Sequence, residues 1–338
     1  MERYFLGNNT AFGFVGNYEE ELKDKNKVIL LKGGPGTGKS TILKRLAKEA
    51  EKRGCDYEEW YCSGDPKSLD GVFVKDLSIA VVDATSPHAV GADLPAVKDL
   101  IFDLATSLDK NKLMPYMNDI KKLVNCKKYS FVRAYQHLKL AFCHLNNQIA
   151  LEEYGVDKTK IREYAIEIAH ELNDEINKTG GDNCRVRKVF VSAICPQGEN
   201  AFFDCFKDKK IIRVVGGEVA TETFFDELKG LTKGTYILNP LDPNRLDGVI
   251  VGDVAVVRDA GEFNDAVKKI DLTKWEHFDY PKEIEQEKNG VVLEVAFAVE
   301  ELNKAREFHL ELEKYFVAAM DFSNNNRLYD EIVKACFC

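Results

Sequence analysis

The sequence lacks the features that direct a chain across or into a membrane. Its first residues contain no basic region followed by an apolar run, so no signal peptide is predicted. No apolar stretch approaches the ~18–20 residues that a membrane-spanning helix needs. The nine cysteines are odd in number and scattered, which argues against a disulfide framework. These absences predict a cytoplasmic protein with no membrane partner.

Positive charge is also scarce. The chain has 47 lysines and arginines and 56 aspartates and glutamates, which gives a net charge of −9. Because nucleic-acid binding usually needs a concentrated basic face, no nucleic-acid partner is predicted. A hydrophobic fraction of 45% is that of an ordinary soluble protein, and 338 residues suffice for about two domains.

An internal repeat runs through the chain. Residues 65–72 (DPKSLDGV) recur as residues 242–249 (DPNRLDGV), and each copy is followed by an apolar run. Upstream, residues 28–34 (VILLKGG) correspond to residues 211–217 (IIRVVGG). A repeat of this length is typical of a duplicated domain.

The repeat predicts two copies of an α/β core, each followed by a helical part. We predict a tandem duplicated α/β fold with parallel sheets, and a polar linker at residues 178–183. The predicted boundaries are 1–180 for the first copy (core about 1–91, helical part about 92–180) and 181–338 for the second (core about 184–261, helical part about 262–338).

The first core has the order strand, helix, strand. The apolar run 27–31, bounded by charge and glycine, predicts a buried strand. Residues 39–53 carry apolar side chains on one face and end at Gly54, which predicts a helix. Further strands are predicted at 57–62 and 78–82, and this order favours a parallel sheet with right-handed crossovers.

A helical pattern is predicted beyond Pro95. Apolar residues there recur at helical spacing, and the pattern continues, with a break around Pro115, to about residue 177. The residues that carry this first helical prediction are Val97, Leu100, Ile101, Leu104 and Leu108.

The clearest motif is a phosphate-binding loop. Residues 33–40 match G-x-x-x-x-G-K-[ST] in full, after a predicted strand and before a predicted helix. The predicted fold is therefore one of tandem duplicated, P-loop NTPase-like parallel sheets, each followed by a helical segment. Glycines let successive backbone N–H groups turn toward phosphates, and the helix N-terminus adds a partial positive charge. The predicted ATP-binding residues are Gly33, Gly34, Pro35, Gly36, Thr37, Gly38, Lys39 and Ser40, followed by Thr41.

Two of these residues and one carboxylate have predicted chemical roles. Lys39 should reach the β- and γ-phosphates, and the Ser40 hydroxyl should ligate Mg²⁺. Asp83 ends an apolar strand in the manner of a Walker B carboxylate and is the second predicted Mg²⁺ residue; the alternative is that it caps the following turn. No glutamate follows Asp83, so the carboxylate that polarises water in fast ATPases is missing.

Two further residues near this site are candidates for catalysis. His88 follows the Walker B strand, where a γ-phosphate sensor would sit, although a solvent-exposed turn histidine is the alternative. Asp65 follows the second predicted strand, where kinases place a general base. The second copy keeps the equivalent Asp242, which favours a structural role for this aspartate.

The second copy has lost the phosphate motif. An ungapped alignment of Gly33 with Gly216 sets Glu222 opposite Lys39, and this replaces attraction for phosphate by repulsion. We therefore predict one functional nucleotide site per chain.

The chain resembles a bacterial family of tandem P-loop proteins described as ATPases or nucleotide kinases. The resemblance rests on residues 5–13 (FLGNNTAFG), 32–41 (KGGPGTGKST), 68–72 (SLDGV) after Cys62, 82–88 (VDATSPH) and 192–198 (SAICPQG). It implies nucleotide binding without naming a substrate, because the family's reaction is not established. Members of the family commonly carry a second phosphate loop, from which this sequence departs.

Three functions are compatible with the motifs. The first is a Mg²⁺-dependent, slow ATPase that acts as a switch, with Lys39, Ser40 and Asp83 essential. The second is a small-molecule or nucleotide kinase that uses Asp65 as base. The third is a non-catalytic, nucleotide-gated binding protein. The sequence leaves open the choice between ATP and GTP and the identity of an acceptor or protein partner.

Overall fold

The computed structural model describes residues 1–88, 90–179, 186–259, 263 and 266–337. The predicted linker at 178–183 falls largely outside these residues. The chain is a mixed α/β structure with two six-stranded sheets, each followed by helices.

The first sheet has the strand order β1-β5-β6-β7-β4-β8, and a separate hairpin is formed by β2 and β3. These strands are β1 Glu2–Tyr4, β2 Gly7–Thr10, β3 Gly13–Gly16, β4 Lys27–Lys32, β5 Tyr57–Tyr61, β6 Leu69–Val74, β7 Ile79–Asp83 and β8 Asp99–Asp103.

The second sheet repeats this order as β9-β13-β14-β15-β12-β16, again with a separate hairpin, β10 and β11. The strands are β9 Arg187–Val189, β10 Ser192–Cys195, β11 Gly198–Ala201, β12 Lys210–Val215, β13 Thr235–Leu238, β14 Leu246–Val251, β15 Val254–Arg258 and β16 Lys268–Asp271. The repeat in the sequence therefore coincides with a repeat of strand order.

Helices follow and flank both sheets. They are α1 Tyr18–Leu22, α2 Lys39–Lys52, α3 Lys110–Leu113, α4 Met117–Glu152, α5 Lys158–Thr179, α6 Glu218–Leu231, α7 Pro281–Ala319 and α8 Phe322–Phe337. The long helices α4 and α7 pack antiparallel, as the pairs His137–Glu294 and His144–Glu287 indicate.

The prediction of parallel sheets is wrong for one strand of each sheet. Strand β6 pairs antiparallel with both β5 and β7, and β14 does the same in the second sheet. The reason is length: the seven residues 62–68 between β5 and β6 are too few for a crossover helix, so the chain returns as a hairpin.

The helix predicted just beyond Pro95 is also wrong. Asp99–Asp103 is a strand, β8, that pairs parallel with β4, and a 3-10 turn at Leu104–Ser107 follows it. The segment Lys268–Asp271 is likewise a strand, although the second helical part was predicted from residue 262. Apolar residues spaced for a helix can also serve an edge strand when an open neighbour such as β4 offers hydrogen bonds.

The two sheets share one core. Val28 and Leu30 of β4 point into a cluster that also contains Ile211, Ala255 and Val257 of the second sheet. The alternate residues of β4, Ile29 and Leu31, face helix α2 on the other side. This alternation places the sheets face to face, with helices on their outer surfaces.

The terminal helix of each half packs on the sheet of the other half. Ile332 and Cys336 of α8 lie in the cluster formed by α2 and the first sheet. Ile161 and Ile168 of α5 lie in the cluster formed by α6 and the second sheet. The two halves are therefore interlocked, and residues of the second half reach the loop of the first.

Candidate functional site

The glycine-rich loop connects the buried strand β4 to the helix α2. Gly33, Gly36 and Gly38 have φ angles of 147°, 68° and 89°, a region that favours glycine. A Cβ added at Gly33 would lie 2.6 Å from the Thr37 hydroxyl oxygen. Thr37 is fully buried and donates its hydroxyl to the Gly34 carbonyl at 2.9 Å. The loop is therefore a tight turn that depends on its glycines.

Lys39 begins α2 and folds back over the loop. Its Nζ donates to the carbonyl oxygens of Gly33 at 2.8 Å and Gly34 at 2.9 Å, and lies 3.6 Å from Asp83 Oδ2. The other carboxylate oxygen of Asp83 accepts from the backbone N–H of Thr85 at 2.9 Å and from the Thr85 hydroxyl. The structure thus brings together Lys39 and Asp83, and Asp83 also caps its turn.

Ser40 follows Lys39 in the first turn of α2. Its Oγ accepts the backbone N–H of Leu69 at 3.1 Å. Pro35 is half-buried and Thr41 is exposed. The Ser40 hydroxyl and the Asp83 carboxylate are oxygen donors, which is the ligand type that suits Mg²⁺.

Helices α7 and α8 of the second half cover the loop. The Phe316 ring lies 3.5 Å from the Cβ position of Gly34, and the Val317 side chain lies 3.0 Å from that of Gly36. The Asn325 side chain donates to the Thr37 carbonyl at 2.8 Å. The glycine-rich loop is therefore held between the first sheet and helices that come from more than 280 residues further along the chain.

A carboxylate from α7 lies at the loop itself. His309 Nε2 stands 3.5 Å from Glu313 Oε1. This histidine, and then the backbone amide of Gly36, lower the pKa of Glu313 against the opposing effects of burial and Asp65. Glu313 thus places a negative charge against an amide of the loop that was predicted to bind phosphate.

Each of the two long helices contributes a cationic side chain that contacts His309 or Asp65. Lys127 Nζ of α4 lies 3.4 Å from His309 Nδ1, and burial lowers the pKa of Lys127. Arg306 Nε of α7 lies 3.3 Å from Asp65 Oδ1. The Asp65 carboxylate also accepts the Ser68 hydroxyl at 2.8 Å. Asp65 is therefore within reach of the loop but already has two partners.

The sequence prediction missed the residues supplied by α7. Arg306, His309, Glu313 and Phe316 lie at intervals of three or four residues and so occupy one face of the helix. The helical spacing of these four residues is visible in the sequence, but nothing in the sequence indicates which loop this face of the helix contacts.

His88 is not an exposed turn residue. It is 7% exposed, and its Nε2 lies 3.2 Å from Asp70 Oδ2. Tyr18 donates its hydroxyl to the same Asp70 oxygen at 3.0 Å. Burial raises the pKa of Asp70, and His88 partly offsets this effect. The structure pairs His88 with Asp70 at the base of the site.

The second half has a shorter connection in place of the glycine-rich loop. Helix α6 begins at Glu218, after only Gly216 and Gly217, whereas six residues separate β4 from α2. Glu218, not Glu222, therefore holds the place of Lys39; the ungapped alignment was wrong because it allowed no deletion.

The ion pair of the first half is reversed in the second. Strand register sets Arg258 in the place of Asp83, because Val214 pairs with Arg258 as Leu31 pairs with Asp83. Arg258 donates to the Glu218 carboxylate at 2.8 Å. A negative charge at the start of α6 repels phosphate.

Two glutamates accept hydrogen bonds from the backbone amides at the second connection. Glu152, the last residue of α4, is fully buried and accepts the backbone N–H of Val219 at 3.0 Å. Glu276 accepts the N–H of Gly217 at 2.6 Å. The amides that would meet an anion here are bonded to side chains of the protein.

Within the described ranges, no helix combines the length and apolar character required to cross a membrane. No protein-family model, curated protein or solved structure matches this chain.

Proposed function

We propose that the chain is a Mg²⁺-dependent, ATP-binding P-loop NTPase with one functional site, in the first half, and that it works as a slow ATPase switch. The observation that carries this proposal is the loop from Gly33 to Ser40, with Lys39 folded onto it beside Asp83. Loops of this kind surround phosphates with backbone N–H groups and one lysine. The sequence resemblance to tandem P-loop proteins supports the same conclusion.

Each residue has a role in this proposal. Lys39 leaves the loop carbonyls to bind the β- and γ-phosphates, while Ser40 and Asp83 hold the metal ion. Bound Mg²⁺ neutralises charge on the phosphates. Arg306 and Lys127 are the nearby cations that compensate further negative charge. Ala84 follows Asp83 where fast ATPases have a glutamate, so hydrolysis is slow.

The switch follows from the position of Glu313. A carboxylate beside the Gly36 amide and a triphosphate in the same loop repel each other, because both are negatively charged and lie close together. ATP binding therefore favours displacement of this part of α7. Helix α8 is hydrogen-bonded to the same loop, through Asn325 and the Thr37 carbonyl. We therefore expect both helices of the second half to move when ATP binds.

Replacement of Glu313 tests this coupling. Glu313→Gln removes the charge and nearly keeps the shape, so we expect about tenfold tighter ATP binding because the repulsion is gone. Isothermal titration calorimetry measures the change. Glu311→Gln, an exposed glutamate on the same helix, is the matched control and should bind as the wild type does. Equal affinity in all three proteins would refute the coupling.

The kinase alternative depends on Asp65. Its carboxylate interacts electrostatically with Glu313 and thus lies near the loop, which favours a base role. Its bonds to Arg306 and Ser68 favour a structural role instead, because a base needs a free lone pair toward its substrate.

Phosphate release from ATP distinguishes the candidate functions. We expect the purified wild type to hydrolyse ATP slowly, only with Mg²⁺ and with no acceptor, and Asp65→Asn to keep most of this activity. Turnover that requires an added acceptor and is lost in Asp65→Asn would instead identify a kinase. Binding without any turnover would identify a non-catalytic switch.

A further inference from the structure

Three side chains with metal-ligand chemistry converge beside the proposed nucleotide site. The ligand atoms of Cys62, Asp70 and His88 all lie within 4.8 Å of one another. They come from the end of β5, the start of β6 and the turn after β7, which are neighbours in the first sheet. Because β6 runs antiparallel to both, its first residues lie at the same edge as the ends of the other two strands.

The distances suit one shared ion. His88 Nε2 and Asp70 Oδ2 are 3.2 Å apart. In a tetrahedral zinc site with bonds of about 2.0 Å, nitrogen and oxygen ligands are separated by about 3.3 Å. A thiolate and a carboxylate together neutralise a divalent ion, and imidazole and thiolate are the ligands that Zn²⁺ prefers.

The three side chains are buried or half-buried together, and other groups of the first half hold them in place. Burial first, and then the charge of Asp70, raise the pKa of the Cys62 thiol, against the smaller effect of the backbone amides of Gly64 and Asp65. A divalent ion would supply the positive charge that this pair of acidic groups lacks. Tyr18 donates to Asp70, which is the kind of second contact that fixes a carboxylate ligand.

His88 is almost fully buried, and its Nε2 is the ring nitrogen that faces the Asp70 carboxylate. Coordination through Nε2 would therefore need no change in the position of the ring. The neutral imidazole that such a bond requires is also the form that burial favours.

We propose that Cys62, Asp70 and His88 form a binding site for one divalent transition-metal ion of the Zn²⁺ class. Three protein ligands leave a fourth position for water or for an oxygen of a substrate. The site adjoins the glycine-rich loop, since the backbone N–H of Leu69, the residue before Asp70, donates to the Ser40 hydroxyl at 3.1 Å. This inference is independent of ATP hydrolysis, because it rests on ligand geometry alone.

Cobalt binding to the metal-stripped, full-length protein tests the site directly. Co²⁺ replaces Zn²⁺ at such sites and reports a thiolate ligand by a sulfur-to-cobalt charge-transfer band. We expect one equivalent of Co²⁺ to produce this band and Zn²⁺ to abolish it by displacement. No band in the wild type would overturn the proposal and would leave Cys62, Tyr18 and His88 as donors that stabilise buried Asp70.

Variants then assign the ligands. Cys62→Ser should eliminate the band, and Tyr18→Phe should weaken binding by about 10–100-fold through the lost second contact. Cys143→Ser, which replaces an exposed cysteine, should keep the wild-type band. A band that persists in Cys62→Ser would overturn the assignment.

A second measurement covers the case in which a variant fails to fold. Zn²⁺ should protect Cys62 of the wild-type protein from alkylation, whereas Cys143 should react equally with and without the ion. Mass spectrometry of the labelled peptides measures both. Equal labelling of Cys62 in the two conditions would contradict the site without the use of any variant.

Discussion

Lys39→Ala should lower ATP turnover at least about a hundredfold, the usual cost of removing one donor that stabilises transition-state charge. Lys39 is the cation that the loop itself supplies, and it already lies on the Gly33 and Gly34 carbonyls beside Asp83. Alanine leaves those carbonyls and the carboxylate without their positive partner, so the phosphates meet uncompensated negative charge. Phosphate release under saturating ATP and Mg²⁺ measures the loss.

The control for this variant lies on the same helix. Lys48 is exposed on α2 two turns beyond Lys39, so Lys48→Ala changes the net charge equally without touching the loop. It should hydrolyse ATP at the wild-type rate. Turnover in Lys39→Ala within a few-fold of the wild type would refute the role of the loop in hydrolysis.

Arg187→Met should lower the free energy of unfolding by about 3–5 kcal/mol, the usual cost of breaking a buried ion pair by removing one partner. Arg187 of β9 donates two hydrogen bonds, of 2.9 and 2.6 Å, to the buried Glu58 of β5 and a third, of 3.1 Å, to the buried Glu21. These bonds join the second half to the first. Urea unfolding measures the loss, and Arg162→Met, an exposed arginine on α5, serves as the control.

This prediction has a defined pH dependence. Burial raises the pKa of Glu58, but Arg187 and the donors around it bring that pKa below its ordinary value. The stabilisation is therefore complete above the unfolded pKa of about 4.3 and is lost as the pH falls through the folded value. In Arg187→Met, fewer partners oppose the effect of burial on the pKa of Glu58. Protonation of Glu58 at low pH then removes an unpaired buried charge and so stabilises the folded variant. The difference in free energy of unfolding between the wild type and Arg187→Met should therefore become smaller as the pH falls. A constant difference between pH 7 and pH 4 would contradict the ion-pair explanation.

Local patterns predicted the elements around the loop well. β4, α2, β5 and β7 begin and end within one residue of the predicted bounds. Each is a short apolar strand or an amphipathic helix bounded by glycine or charged residues, so the local sequence is enough to determine its type and its ends. The strand order and the exchange of α5 and α8 could not be predicted in this way. They depend on contacts between segments that lie far apart in the sequence.

The same limit applies to the site. The loop residues form one continuous motif, and Lys39 Nζ lies 3.6 Å from Asp83 Oδ2 in the structure. Arg306 and Glu313 come from another half of the chain, and nothing local to α7 indicates where that helix packs. The reversed pair of Glu218 and Arg258 was hidden by a deletion, which only the strand register reveals.

The number of ATP molecules bound per chain tests the central claim most directly. Calorimetric titration of the wild type with ATP and Mg²⁺ should give one equivalent, and Lys39→Ala should show greatly weakened binding. Glu218→Gln, a change at the corresponding place of the second half, should leave the stoichiometry at one. Two equivalents in the wild type, or unchanged binding in Lys39→Ala, would contradict a single nucleotide site in the first half.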